Sequence, residues 1–298
     1  MAAAQPQDTT LDRLIRILGA FDAGRPTLSV AALARRADIP LPTAYRWVER
    51  LTTAGLLRRG EGGVVGPGLK LWELASRSAP STSLRQAAMP FMDDVQAVLR
   101  QHTQLAVLDE TGVLVLERLS ARGAVANQAT VAGRLPTFTT AMGLVLLAFS
   151  RRHVTESYLA AHAGELGLPL ATVTTAGRAA RAAQPGNDDG ASFTGASGTA
   201  PVGITGNARG VVNPTEPELR QRLAEVRRRG FASVDGQIDS EATGVAVPVV
   251  VPEGDTLAAL GVVVPRSSEF RPGLAPMLLA AARGISRALT PQETVITQ

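Results

Sequence analysis

Thirty residues near the N-terminus, VAALARRADIPLPTAYRWVERLTTAGLLRR from Val30 to Arg59, constrain the fold more than any other stretch. They divide into an alanine-rich helix, a turn marked by Pro40 and a second helix. In the second helix Ala44, Trp47, Val48 and Leu51 fall at i, i+3, i+4 and i+7, one apolar stripe at the helical period. Thr43, Tyr45, Arg46, Glu49, Arg50 and Thr53 are left off that stripe. A helix anchored along one side while offering hydroxyl, phenol and guanidinium groups on the other suits a DNA major groove. Tyr45 has a second reading, as a ring packed on the preceding helix. Gly55 ends the helix, and LLRRGEGGVVG sets two short apolar runs around a Gly-rich tip, which predicts a β-hairpin wing with Arg58 and Arg59 at its mouth.

The flanks supply the rest of a small helical core. Thr9 or Thr10 caps a first helix whose Leu11, Leu14, Ile15 and Leu18 make an apolar face. Ser29 caps the helix Val30 to Ala37, and Ile39 sits in the turn where it can pack between the helices. Pro42 is tolerated in the first helical turn, where its missing N–H has no intrahelical partner.

Charge separates this segment from the rest. Residues 1 to 79 hold eleven basic against seven acidic side chains, and the remaining nineteen of each sign cancel. The net +4 therefore sits wholly with the segment predicted to meet DNA, where phosphates reward it. The chain has no cysteine, which excludes disulfides, thiolate nucleophiles and cysteine metal sites. No apolar run approaches the ~18 residues of a membrane span, and MAAAQPQDTT lacks the basic and apolar regions of a secretory signal, so a cytoplasmic protein is expected.

Beyond the wing, Gly68 to Ser78 reads as a linker helix carrying Leu71, Trp72 and Leu74, with Ala79 to Thr82 as its end. A long helix, Leu84 to His102, opens the second domain with an apolar face of Leu84, Ala87, Ala88, Phe91, Val95, Val98 and Leu99. Strands follow at Thr103 to Leu108 and Val113 to Leu119, a turn at Gly133 to Pro136, and helices at Ala141 to Phe149 and Thr155 to His162. The later pattern is a helix (Glu216 to Arg229), strands (Phe231 to Val234, Gly244 to Val251, Ala258 to Val264) and a terminal helix (Leu274 to Leu289). Strands with helices gathered on one side predict an α+β domain. The expected boundaries are 1–67, 68–82 and 83–298. Residues 184–213, poor in large apolar side chains, read as a flexible insertion.

Enzyme chemistry finds little footing. His102, His153 and His162 are the only histidines, and no two share a helix face at metal-ligand spacing. There is no phosphate-binding loop and no nucleophile elbow. Glu110, Glu117, Asp239 and Glu241 read as solvated carboxylates, and Arg227 to Arg229 as a solvated helix end. Neither a metal nor a cofactor is expected.

With both halves in view, the chain resembles the IclR family of bacterial transcriptional regulators along nearly its whole length. The resemblance rests on IPLPTAYRWVERLTTAGLLRR (Ile39 to Arg59), GRLPTFTTAMGLVLLAF (Gly133 to Phe149), LRQRLAEVRRRGFASVDGQIDSEATGVAVPV (Leu219 to Val249) and LAALGVVVP (Leu257 to Pro265). It implies a winged helix-turn-helix, a linker helix and a GAF/PAS-like α+β effector domain. It further implies a homodimer or homotetramer on double-stranded operator DNA, a repressor more often than an activator, controlled by a small organic effector. By position Thr43, Tyr45 and Arg46 match the family's DNA-facing helix, with Arg50 toward phosphate and Arg58 and Arg59 near the wing. The implied pocket takes Thr139, Thr140 and Met142 from one loop and Asp235, Gly244, Gly261 and Val263 from the strands.

Several positions depart from the family. Pro42 stands where a serine is common, Leu144 where a lysine often ends the pocket helix's motif, and Gly244 where a cysteine is frequent. Gly261 and Val263 replace small polar residues, and a carboxylate expected near Val234 and Asp235 is met by Asp235 in one of two registers. These exchanges make the pocket less polar and favour a larger, partly apolar or aromatic acid. The other reading of the residues is a small-molecule sensor or enzyme whose N-terminal helices serve assembly.

Overall fold

The computed structural model describes residues 9–22, 25–77, 80–125, 127, 129–169, 211–236, 240–250, 256–267 and 271–289. Two compact units meet in sequence between Pro80 and Ser81.

The first unit contains α1 (Thr10–Leu18), β1 (Leu28–Ser29), α2 (Val30–Ala37), α3 (Leu41–Thr53), β2 (Leu57–Arg59), β3 (Val64–Pro67) and α4 (Leu69–Arg77). Thr9 caps α1 in a reciprocal box with Asp12, and the Ser29 hydroxyl accepts from Ala32 N–H at 3.2 Å to cap α2. Ala44, Val48 and Leu51 of α3 are buried with Leu33 and Ala37 of α2, Ile39 of the turn and Ile17 of α1, and Trp47 packs at the edge. Gly55, at φ +74°, turns the chain out of α3 in a left-handed conformation that favours glycine. The hairpin gains a third strand the sequence did not announce. β1 pairs with β3 through Leu28↔Val65, giving the order β1-β3-β2.

The first helix meets this core through a narrower face than expected. Ile17 is fully buried, with Leu14 and Leu18 beside it, whereas Leu11 and Ile15 are 62% and 59% exposed. The apolar surface of α1 is wider than the contact α2 and α3 offer, so its outer stripe is left uncovered.

The second unit contains α5 (Pro80–Leu99), β4 (His102–Asp109), β5 (Gly112–Ser120), β6 (Arg134–Leu135), α6 (Ala141–Phe149), α7 (Arg152–Ala161), α8 (Glu216–Arg229), β7 (Ala232–Asp235), β8 (Ala242–Val250), β9 (Thr256–Pro265) and α9 (Arg271–Leu289). Its six strands form an antiparallel sheet in the order β6-β5-β4-β9-β8-β7. Alternation along the strands sends Leu105, Val245, Val247, Leu260 and Val262 to one face, against Leu84, Met92, Val95, Leu274 and Leu278 of α5 and α9. Ala106, Val115, Ala232, Ala246 and Ala259 go to the other, against α6, α7 and α8.

Helices thus cover both faces, not one. The near-continuous apolar runs of β8 and β9 belong to strands buried on both sides. α5 begins at Pro80, four residues before the predicted start, since proline suits the first helical position. It ends at Leu99, and His102 belongs to β4. Met92, not Val98, fills the buried face, and Val98 is exposed.

Of the insertion expected at 184–213, residues 184–210 lie outside the described residues. Its last residues are tied down: Asn213 donates from its backbone N–H to Leu168 O at 2.9 Å and from Nδ2 to Glu165 O at 3.0 Å. The arginine run at the end of α8 is also more than a solvated face. Arg227 Nε donates to Ala148 O at 2.5 Å, satisfying a carbonyl near the end of α6, and Arg229 lies 4.4 Å from the centre of the Phe231 ring.

Candidate nucleic-acid interface and ligand pocket

With Ala44, Val48 and Leu51 pointing inward, α3 turns Tyr45, Arg46, Glu49, Arg50 and Thr53 outward. Tyr45 is 52% exposed and lies outside the buried cluster of the unit; Thr43 is half-buried. Arg46 and Arg50 stand one turn apart on the exposed side, and neither makes an ion pair among the described residues. Other arginines of the unit are engaged in the fold. Arg36 pairs with Asp22 at 2.7 Å, and Arg16 Nε donates to Ala37 O at 2.8 Å.

In the wing, Leu57 is buried while Arg58 and Arg59 are exposed. Adjacent strand residues leave on opposite faces, so a surface laid against one side of the hairpin meets only one of these two arginines. The wing tip turns through Gly62 and Gly63 at φ +71° and +76°.

In the second unit, pairing registers place the predicted pocket residues directly. Val234 of β7, Gly244 of β8, Val263 of β9 and His102 of β4 lie in one cross-strand row on the α6 side. Ala232, Ala246, Gly261, Gln104 and Arg118 make the next row on the same face. The first turn of α6 lies over them. A Cβ added at Gly261 would stand 3.2 Å from Met142 Cγ, and one at Gly244 would stand 3.8 Å from Ala141 Cβ. Gly244, Gly261, Val263 and Met142 are therefore brought together.

The remaining predicted residues divide. Thr139 is buried, and its hydroxyl has no hydrogen-bond partner. The Thr140 hydroxyl is engaged twice, donating to Pro136 O at 2.6 Å and accepting from Gly143 N–H at 3.2 Å to cap α6. Asp235 pairs with Thr243, one step out of phase with Gly244, and accepts from the Thr243 hydroxyl at 2.7 Å. It thus points to the sheet face opposite Gly244 and Val263, and Val234 takes the place beside α6. A one-residue change of register exchanges the two faces, which is why both had been open.

Sequence reasoning passed over three polar side chains on the pocket face, His102, Gln104 and Arg118. Burial lowers the pKa of His102, opposed by its bond to the Val125 carbonyl and reinforced by Arg118, so the ring is neutral near pH 7. An open cleft of about 990 Å³ lies elsewhere, lined by Leu108, Glu110, Leu146, Ser157, Tyr158 and His162 among others. It contains none of the predicted pocket residues. On its wall the Asp109 carboxyl, whose pKa burial raises, is brought down to about 2 by the two-pronged Arg134 contact and by Thr111.

Residues 10–61 match the IclR helix-turn-helix domain, and residues 77–180 match the C-terminal domain of the bacterial transcriptional regulator IclR. An IclR homolog from Microbacterium hydrocarbonoxydans, solved in complex with 4-hydroxybenzoate, is 36% identical, with 94% of this chain and 99% of that one covered and a TM-score of 0.71. The Pca regulon regulatory protein of Pseudomonas putida is 24% identical over 94% of this chain and 84% of its own length. The HTH-type transcriptional regulator KdgR of Dickeya chrysanthemi is 22% identical over 96% and 82%. These relatives are regulators, not enzymes, and the second unit is an α+β domain of the GAF-like kind found in them. A winged helix-turn-helix followed by such a domain, matched along nearly the full length, places this chain in the IclR family of transcriptional regulators.

Proposed function

We propose that the protein is a repressor that binds a pseudo-palindromic operator as a homo-oligomer and is controlled by a small aromatic or partly apolar acid. The observation that carries the reading is α3: a buried base of Ala44, Val48 and Leu51 holds Tyr45, Arg46 and Arg50 outward, with neither arginine held by an acid among the described residues. Arg46 serves base readout, Arg50 and one wing arginine serve phosphates, and Thr43 steadies the N-terminal end of the contact. The pocket residues Thr139, Met142, Gly244, Gly261 and Val263 surround the effector, with Thr140 holding the helix that covers it. The family member crystallised with 4-hydroxybenzoate supports an aromatic acid as the effector class.

One recognition helix reads three or four base pairs, too few to define an operator, so two copies are needed on one site. The first unit has apolar surface for a second copy: Leu11 and Ile15 on α1, and Leu69 (81% exposed) and Trp72 (71% exposed) on α4. Sedimentation of the full chain is expected to show a dimer or tetramer, and Ile15→Ser with Trp72→Ser to weaken that association at least tenfold. A wild-type monomer at micromolar concentration would oppose it.

The effector acts by binding more tightly to one spacing of the two DNA-reading heads than to the other, which shifts their populations. Gel shift with the intergenic DNA flanking the gene tests the reading. A retarded band that millimolar 4-hydroxybenzoate weakens or strengthens is expected; a band indifferent to every aromatic acid tried would contradict the effector class.

A further inference from the structure

The pocket face of the sheet carries a guanidinium that no carboxylate among the described residues neutralises. Arg118 on β5 stands opposite Gln104 on β4, which stands opposite Gly261 on β9. Arg118 Nη1 donates to the Ala129 carbonyl, Nη2 lies 3.5 Å from His102 Nδ1, and Nε is buried without a hydrogen-bond partner. From Arg118 its neighbour Glu117 accepts the backbone N–H alone; the other carboxylate oxygen accepts from Arg85 Nε of α5, on the other face of the sheet. His102 supplies no counter-charge. Its Nε2 donates to Val125 O at 2.6 Å and its Nδ1 accepts from the Ser120 hydroxyl at 2.9 Å, the roles a neutral ring requires.

More unpaired groups share this unit's interior. Gln104 is 2% exposed, and its Nε2 is buried without a partner. The hydroxyls of Thr130 and Thr139 are likewise buried and unpaired. Buried donors without acceptors cost free energy, and a half-buried cation without an anion costs more. Both costs are lifted at once by a ligand that brings two acceptor oxygens and a negative charge.

We propose that Arg118 and Gln104 anchor the carboxylate of the effector, Arg118 donating from Nε and Gln104 from Nε2 to its two oxygens. The two residues are cross-strand neighbours on one face, so their side chains reach a common carboxylate. The apolar body of the ligand then lies toward Met142, Gly261 and Val263, where the first turn of α6 meets the sheet. This assignment rests on reading the second unit as an acid sensor, and it names the residues that make the sensor select an anion.

Calorimetric titration of the full chain with benzoate and 4-hydroxybenzoate, and with the two corresponding primary amides, tests it. Wild-type protein is expected to prefer the acids at least tenfold. Arg118→Gln is expected to lose about 10- to 100-fold in acid affinity, the range of charge-assisted hydrogen bonds, while amide affinity stays within about threefold. Gln104→Leu leaves the Arg118 contact to Ala129 in place and is expected to lose about tenfold for the acids; it decides the matter if Arg118→Gln does not fold. Equal acid affinity in wild type and both variants would overturn the anchor and leave the sensor reading standing. Parallel loss of acid and amide in Arg118→Gln would also overturn it, since that reports pocket collapse. Wild-type protein that binds DNA but neither acid would sink the aromatic-acid reading and the anchor together.

Discussion

Arg46→Ala lowers affinity for the operator by about 1–3 kcal/mol, roughly 5- to 150-fold, and flattens the preference among single-base variants at the position it reads. The reason is geometric. Arg46 projects from the exposed side of a helix whose other side is locked by Ala44, Val48 and Leu51, so the backbone that carries it is already fixed and binding has only the side chain to order. Arg58→Ala behaves differently: a wing arginine meeting phosphate weakens all duplexes alike and reduces the slope of log affinity against log salt by about one. Binding curves for both variants on one operator and one scrambled duplex, at two salt concentrations, separate the roles. An Arg46→Ala protein with an unchanged footprint would mean that α3 is not the reading helix.

Gly143→Ala abolishes the effector response while leaving the first unit able to bind DNA. A Cβ at position 143 would overlap the carbonyl oxygen and Cα of Thr137, backbone atoms that cannot swing aside as a flexible side chain would. The first turn of α6 must then lift, and with it Met142 over Gly261 and the Thr140 cap. Overpacking of this kind costs about 1–3 kcal/mol in stability. Because the units are separate compact bodies in the chain, the cost falls on the second. Thermal melts followed by ligand titration check it; a Gly143→Ala protein with wild-type melting and wild-type acid binding would show that the packing of α6 is not what shapes the pocket.

Where local patterns decide structure, the chain was legible. The stripe on α3, the Ser29 cap and the end of α3 at Gly55 are written in residues no more than a few positions apart, and each stands as expected. The bounds of α6 and α8 likewise follow from a continuous apolar run and from a Thr215–Glu218 capping box. Non-local features were not legible. β1 is two residues long and exists only because β3 lies beside it. The outer stripe of α1 differs from its buried stripe in nothing but what it meets.

The same limit governed the pocket. Asp235 and Val234 were interchangeable until the pairing with β8 set which one faces α6. Gln104 and Arg118 come together only through a pairing that includes a bulge at Leu105/Ala106, which shifts the register of β5 by one residue. One signal was available: an arginine set within the apolar strand Val113 to Leu119 is costly unless something is meant to meet it.

The central claim is that α3 reads base sequence. Fluorescence anisotropy of the full chain on labelled fragments of the DNA flanking its gene, against random duplex of the same length at about 150 mM salt, tests it most directly. A specific protein of this kind binds one fragment at least about 10³-fold more tightly than random duplex. Equal affinity for every duplex would contradict the account.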